Sequence, residues 1–216
     1  INIERRDEKM FNVKNFWDND DVSIIDSKGP FSVIEYQKDL SVTPQNAQMA
    51  YFADKMNVRK RQVICRVAQS NITIQAGAMQ WMVGEVNATT GIKGVGDLFS
   101  KAVRGKVTGE SAIKPEYTGN GLLILEPTYK HILLIDTKEW EQSIVLDDGL
   151  FLACESSLQH KAVARSNISS TVAGNEGLFN LGIFGSGIIC LESKCPREEL
   201  IEVTLNNDVL KIDGNM

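Results

Sequence analysis

Apolar positions along this chain fall into short runs that alternate with polar residues or stay unbroken for four or five positions, and glycine or proline marks most of the breaks. From Ser32, the positions Val33, Ile34 and Tyr36 predict a strand, and Ile72-Thr-Ile74-Gln-Ala-Gly77 alternates before turning at glycine. Gly121-Leu-Leu-Ile-Leu-Glu126 predicts a strand, Pro127 a break, and Ile132-Leu-Leu-Ile-Asp136 a further strand. A turn around Lys138 to Trp140 then leads into Ile144-Val-Leu146-Asp-Asp-Gly149. Helical period is weaker. Val95 to Val103 has Asp97 as an N-cap candidate and Leu98 with Ala102 on one face, but Gly94, Gly96 and Gly105 bracket it, so helix and loop readings both stand. Residues 41–61, rich in Gln, Asn and Met, read as a long loop or a short helix, and residues 164–172 as a polar connection or an exposed strand. The first 22 residues are largely polar and charged, with Phe11, Phe16 and Trp17 as the larger apolar groups, and read as a short helix or an arm that docks by its aromatics.

The strands repeat. Gly119-Asn-Gly-Leu-Leu-Ile-Leu-Glu126 returns as Gly185-Ser-Gly-Ile-Ile-Cys-Leu-Glu192, and the same offset carries Glu110 onto Glu176, Leu134-Ile135-Asp136 onto Leu200-Ile201-Glu202, and Asp147 onto Asp213. Exchanges such as Leu122/Ile188 and Ile144/Leu210 keep apolar volume while leaving chemistry free to drift. The likeness of the segments beginning at Ile72 and Ile144 adds a third, degenerate copy. Short strands at this spacing predict an all-β fold, a β-sandwich or a β-helical barrel.

Length and composition suit a folded domain. The 216 residues are 43% hydrophobic and 24% charged, enough for a sizeable core without staples. No run reaches the roughly 20 apolar residues that span a bilayer, and the opening Ile1-Asn-Ile-Glu-Arg-Arg lacks the apolar centre of a signal peptide, so a cytoplasmic location is expected. Cys65, Cys154 and Cys190 lie in apolar runs and read as reduced core residues; Cys195, beside Pro196, is the exposed one. A net charge of -5 disfavours binding of nucleic acid or anionic membrane by the whole surface, though not by a local basic patch.

Residues with chemical potential do not converge. His131 and His160 stand in neither HxH nor HExxH spacing and read as surface or strand-edge groups, so no metal ligand set is expected. Gly91-Ile-Lys-Gly94-Val-Gly96 has its glycines in the wrong order for a dinucleotide loop, and Arg104-Gly105-Lys106 lacks the rest of a P-loop. Gly119-Asn-Gly121 and Gly185-Ser-Gly187 enter strands rather than helices, which suits positive φ at a strand entrance better than a phosphate loop or a nucleophile elbow. The recurring pairs Glu110/Glu176 and Glu126/Glu192 read as turn or ladder-end groups more simply than as acid–base pairs. No catalytic residue and no cofactor follows.

Two binding surfaces remain as candidates. Arg59, Lys60 and Arg61 with Arg66 form the best phosphate- or RNA-facing patch, followed by Lys101, Arg104 and Lys106; a solvated charged face is the alternative, since no aromatics interleave for base stacking. At strand spacing Met79, Trp81 and Val83 share a face suited to the core or to a subunit contact. Phe99, in the glycine-bracketed segment, is a candidate for a protein interface or for peripheral membrane contact.

Taken in order, Gly77-Ala-Met79-Gln-Trp81-Met82, Gly109-Glu-Ser111, Gly119-Asn-Gly121, Phe151-Leu-Ala153, Gly174-Asn-Glu-Gly-Leu178 and Gly185-Ser-Gly187 resemble the AIM-twenty-four family, named for altered inheritance of mitochondria, over roughly residues 63–216. The resemblance implies a fold like that of the trp RNA-binding attenuation protein (TRAP-like), a double-stranded β-helix of repeated β units. An N-terminal arm over 1–30 would precede a single domain over 31–216, with repeats at about 31–108, 109–174 and 175–216. The family has no established catalytic residues, so the resemblance implies a non-enzymatic binding or scaffold protein, here a bacterial member. The expected partners are a protein or further copies of the chain, with RNA binding and peripheral membrane attachment as the competing classes.

Overall fold

A computed structural model describes residues 11–89, 114–164 and 179–211. The described elements are, in chain order, β1 (Val22–Lys28), β2 (Phe31–Tyr36), α1 (Ala47–Lys55), β3 (Arg61–Arg66), β4 (Ile72–Ile74), β5 (Met79–Thr89), β6 (Glu116–Leu125) and β7 (His131–Asp136). There follow a 3-10 turn (Thr137–Trp140), β8 (Ser143–Leu146), β9 (Phe151–Glu155), β10 (Gln159–Ala164), β11 (Phe179–Phe184), β12 (Ile188–Ser193) and a second 3-10 turn (Arg197–Glu199). The fold is all-β, as the alternation predicts. The main sheet runs β1-β2-β3-β6-β4-β9-β12-β7, with β5 pairing β6, and a second sheet runs β10-β11-β8. The described ladders are antiparallel. The outer strands β1 and β7 approach one another, and Lys28 Nζ reaches Glu139 Oε1 at 2.8 Å across that gap, so the main sheet is nearly closed.

Sheet closure explains why several strands are apolar at every position instead of alternating. The central core takes Phe31 and Val33, Val63 and Cys65, Ile72 and Ile74, Leu123 and Leu125, Ile132 and Leu134, and Ile188 and Cys190. The outward face of β7, β9 and β12, with Leu133, Ile135, Cys154, Ile189 and Leu191, is covered by Leu146, Leu181 and Ile183 of the second sheet. The outward face of β2, β3 and β6, with Ile34, Ile64, Leu122 and Ile124, is covered by Phe11, Phe16, Trp17, Trp81 and Val83. A strand covered on both sides needs apolar side chains on both sides.

The N-terminal aromatics dock, and Phe16 meets Trp81 edge to face at 5.3 Å between centroids. The strand β1, inside the span expected to be an arm, instead opens the main sheet by pairing with β2; Gly29, at φ 54, makes the turn between them. Its Ile24 faces Ile34 and joins the apolar cover, which ties 22–28 to the sheet instead of leaving it as an arm. Residues 41–61 contain a short helix. Leu200-Ile201-Glu202, aligned in sequence with part of the buried strand β7, is in no described strand, and Ile201 is 84% exposed. The helix candidate at 95–103, the basic group Lys101, Arg104 and Lys106, Phe99, Glu110, Glu176, Asp213 and most of the polar connection lie outside the described residues.

Candidate interaction site: a charged cluster beneath an exposed helix

The β2–β3 ladder sets Glu35 directly opposite Arg61. That cross-strand position lets the guanidinium lie along the carboxylate: Arg61 Nε and Nη2 reach Glu35 Oε2 at 2.8 and 2.7 Å. Arg61 is 2% exposed, so the pair also needs its remaining donors satisfied. Nη2 donates to the backbone oxygen and Oδ1 of Asn57 at 3.1 and 2.9 Å. Asn57 ends the helix. It stands at φ 59, its N–H donates to Asp54 O, and Val58 N–H reaches back to Ala53 O at 2.9 Å, the paired bonds of a Schellman cap. The buried cation thus meets the negative end of α1.

Arg59 completes the cluster. Its Nη1 bonds Glu35 Oε1 at 3.1 Å and Gln37 Oε1 at 2.7 Å, and its Nε bonds Asp54 Oδ1 of α1 at 2.6 Å. Burial works against the Arg59 charge, but the bonds to Glu35 and Asp54 outweigh it and raise its pKa above the usual arginine value. Lys60 pairs with Asp39 Oδ2 at 3.0 Å and sits 4.4 Å over the Tyr36 ring. A hydrogen bond from Ser41 is the main reason the Asp39 pKa is lowered, with Lys60 adding to it. Arg66 lies apart from these, half-buried and donating to Ser32 Oγ at 2.8 Å; its burial lowers its pKa. The structure therefore brings Arg59, Lys60 and Arg61 together around carboxylates that the sequence reading did not single out. No signal in the sequence marked Glu35 as their partner, because the register that sets it opposite Arg61 exists only once β2 and β3 pair.

Above this cluster α1 has no buried residue. Met49, Phe52 and Met56, at helical spacing i, i+3 and i+7, are 68%, 58% and 77% exposed. Of the other interface candidates, Trp81 and Val83 turn into the apolar cover, while a β-bulge between Met79 and Trp81 shifts the register, leaving Met79 and also Met82 exposed.

The remaining reactive side chains are held apart. Cys65, Cys154 and Cys190 are buried and Cys195 half-buried, all free thiols. His160 Nε2 lies 3.2 Å from Cys154 Sγ and stacks edge to face on Phe151 at 5.5 Å. Burial pushes the Cys154 thiol up to about 12 and lowers the His160 pKa, so both are neutral at pH 7 and this is no thiolate–imidazolium pair. Burial likewise lowers His131. Among the described residues no three His, Cys, Asp or Glu side chains gather as a metal site, and no helix is long and apolar enough to cross a membrane. Glu192 pairs with Lys130 at 2.7 Å, while Glu126, exposed just beyond the end of β6, donates its N–H to Ala78 O.

Residues 54–216, most of this chain, match the family described as Mitochondrial biogenesis AIM24. The chain belongs to the AIM24 family. An uncharacterized protein of Streptococcus pyogenes serotype M6 is 30% identical over 152 residues, which are 67% of this chain and 59% of that protein. A crystal structure of a Streptococcus pyogenes protein is 28% identical and covers 64% of this chain and 61% of its own, with a TM-score of 0.46. The chain thus spans about three fifths of the length of these relatives. The family match begins at residue 54, so most of α1 precedes it.

Proposed function

We propose that this AIM24 family member is a non-enzymatic binding or scaffold protein of the cytoplasm that works through protein contacts, including contacts between copies of the chain. The observation that carries this reading is β5. It is 11 residues long, pairs among the described strands only with β6, and carries Met79 and Met82 outward. A strand edge that no described strand pairs, beside soft apolar side chains, is a surface that another chain can extend by strand addition. Light scattering of the purified protein tests it. The expected result is an assembly larger than one chain that Met82→Lys converts to monomers without lowering the thermal midpoint; a wild-type monomer at all concentrations overturns the self-association part. Turnover of a metabolite that one side-chain replacement abolishes would overturn the non-enzymatic part.

RNA binding remains the alternative class, and the carboxylate partners of Arg59, Lys60 and Arg61 weigh against it. Salt-sensitive RNA association by the folded protein would restore it, because released counterions are the signature of phosphate contacts.

A further inference from the structure

Arg59, Lys60, Arg61 and Arg66 look alike in sequence as phosphate-facing cations, and the structure separates them. Arg59 and Arg61 are bound to Glu35, Lys60 to Asp39 and, further along the chain, Arg197 to Glu139. Among the described residues no carboxylate pairs with Arg66. Its side chain bonds only Ser32 Oγ, through Nη1 at 2.8 Å. A half-buried guanidinium loses part of its hydration, and a single neutral hydroxyl does not offset that loss. The burial accordingly lowers the Arg66 pKa.

The fold fixes where this cation stands. Val63 and Cys65 turn into the central core, so alternation puts Arg66 with Ile64 on the outward face of β3, where its ladder partner is Leu122. Phe31 and Val33 likewise put Ser32 on that face of β2, and Ser27 of β1 lies across from it. The Arg66 N–H donates to Pro30 O at 2.8 Å and its carbonyl accepts from Gln69 N–H at 3.0 Å, which holds the end of the strand from both sides. Ser32 is fully buried, and its Oγ lies 2.7 Å from Ser27 Oγ. Arginine can only donate, so Ser32 Oγ accepts from Arg66 and can direct its own proton to Ser27 Oγ. The hydroxyl proton of the exposed Ser27 is then left for a group outside the chain.

The remaining guanidinium N–H groups and the Ser27 hydroxyl thus form a set of donors with no anion of the chain to receive them. We propose that Arg66 and Ser27 bind a phosphate group, either the free ion or a phosphate monoester. Phosphate suits the set better than a carboxylate, because the planar fork takes two of its oxygens and the hydroxyl a third. This binding goes beyond the protein contacts proposed above and does not depend on them.

The test titrates the full chain with inorganic phosphate while sodium chloride holds the ionic strength constant, and follows the Arg66 side-chain N–H resonance and the thermal midpoint. Both should change saturably, since a ligand that binds only the folded state raises its stability. Arg66→Gln should abolish the rise in midpoint. Arg66→Lys, which keeps the charge without the fork, and Ser27→Ala should each weaken binding by about threefold to tenfold. Glycerol phosphate in a parallel titration separates the two sources: tighter binding than inorganic phosphate assigns the site to a monoester, weaker binding to the free ion. A response no larger than that to chloride, or one that Arg66→Gln leaves intact, overturns the proposal, and acetate binding as tightly as phosphate overturns the choice of ligand. Should Arg66→Gln fail to fold, the wild-type resonance decides alone, and an Arg66 signal that phosphate does not move overturns the site.

Discussion

The strands β6 and β12 have like sequences, Leu122 to Leu125 and Ile188 to Leu191, yet their aligned residues point to opposite sides of the sheet. Leu123 and Leu125 enter the central core, but their counterparts Ile189 and Leu191 face the second sheet. Conversely Leu122 and Ile124 face the N-terminal aromatics, while Ile188 and Cys190 enter the central core. Sliding a half-buried strand by one residue would expose its apolar set. A strand apolar at all four positions loses nothing by the exchange, provided that both faces are covered. The two segments therefore share composition without sharing orientation, and each depends on a different cover.

The largest test of that contrast is in the apolar contacts. Leu123→Ala and Ile189→Ala, aligned in sequence but in different clusters, should each lower unfolding free energy by about 2–5 kcal/mol. In the double variant the losses should add to within about 0.5 kcal/mol, because the two share no cluster. Strong coupling in urea titrations would mean one shared core and would break the comparison.

The entry glycines should differ by less. Gly119 and Gly185 both hold positive φ, at 118° and 109°, but a Cβ at Gly119 would run into the Glu85 carbonyl oxygen, whereas at Gly185 it would meet only Leu158 Cδ2 at 3.5 Å. Gly185→Ala should cost about 1–3 kcal/mol of backbone strain, and Gly119→Ala roughly 1–3 kcal/mol more from overlap with a backbone that must move. Equal thermal midpoints for the two variants would refute the difference.

Smaller effects should separate the two covers. Phe16→Ala removes a half-buried ring and should cost about 1–2 kcal/mol; amide exchange should then quicken in β5 and β6 and stay unchanged in β12. Acid should act on the other cover, because β10 carries His160 beneath it. The folded state keeps this ring neutral, since burial, with Lys114 adding to it, depresses its pKa below 6.5, while the unfolded chain takes up the proton there. Stability is unaffected well above 6.5 and is lost as pH falls from 6.5 towards the folded-state value. The urea midpoint should fall on acidification, and His160→Gln should flatten part of that slope, to which His131, lowered by burial, also contributes.

Much of the fold was legible in the chain. The runs at 72–74, 121–125 and 132–136 became β4, the end of β6 and β7, because β-branched and leucine-rich runs bounded by glycine and proline have few other ways to satisfy their backbones. Three cysteines in apolar runs were buried, and the aromatics at 11, 16 and 17 docked. The charged cluster was not legible: Arg59-Lys60-Arg61 reads as a basic patch until Glu35, Asp39 and Asp54 arrive from other elements. Leu200-Ile201-Glu202 read as a twin of Leu134-Ile135-Asp136, and only the tertiary structure makes the first exposed and the second largely buried.

Local sequence determined where strands begin, end and turn, since those steps depend on propensity, glycine conformation and the period of apolar side chains within a few residues. Tertiary structure alone decided which face of each strand points inward and which cations find carboxylates. Both are set by contacts between residues far apart in the chain, and an apolar run or a row of cations looks the same whichever partner will meet it.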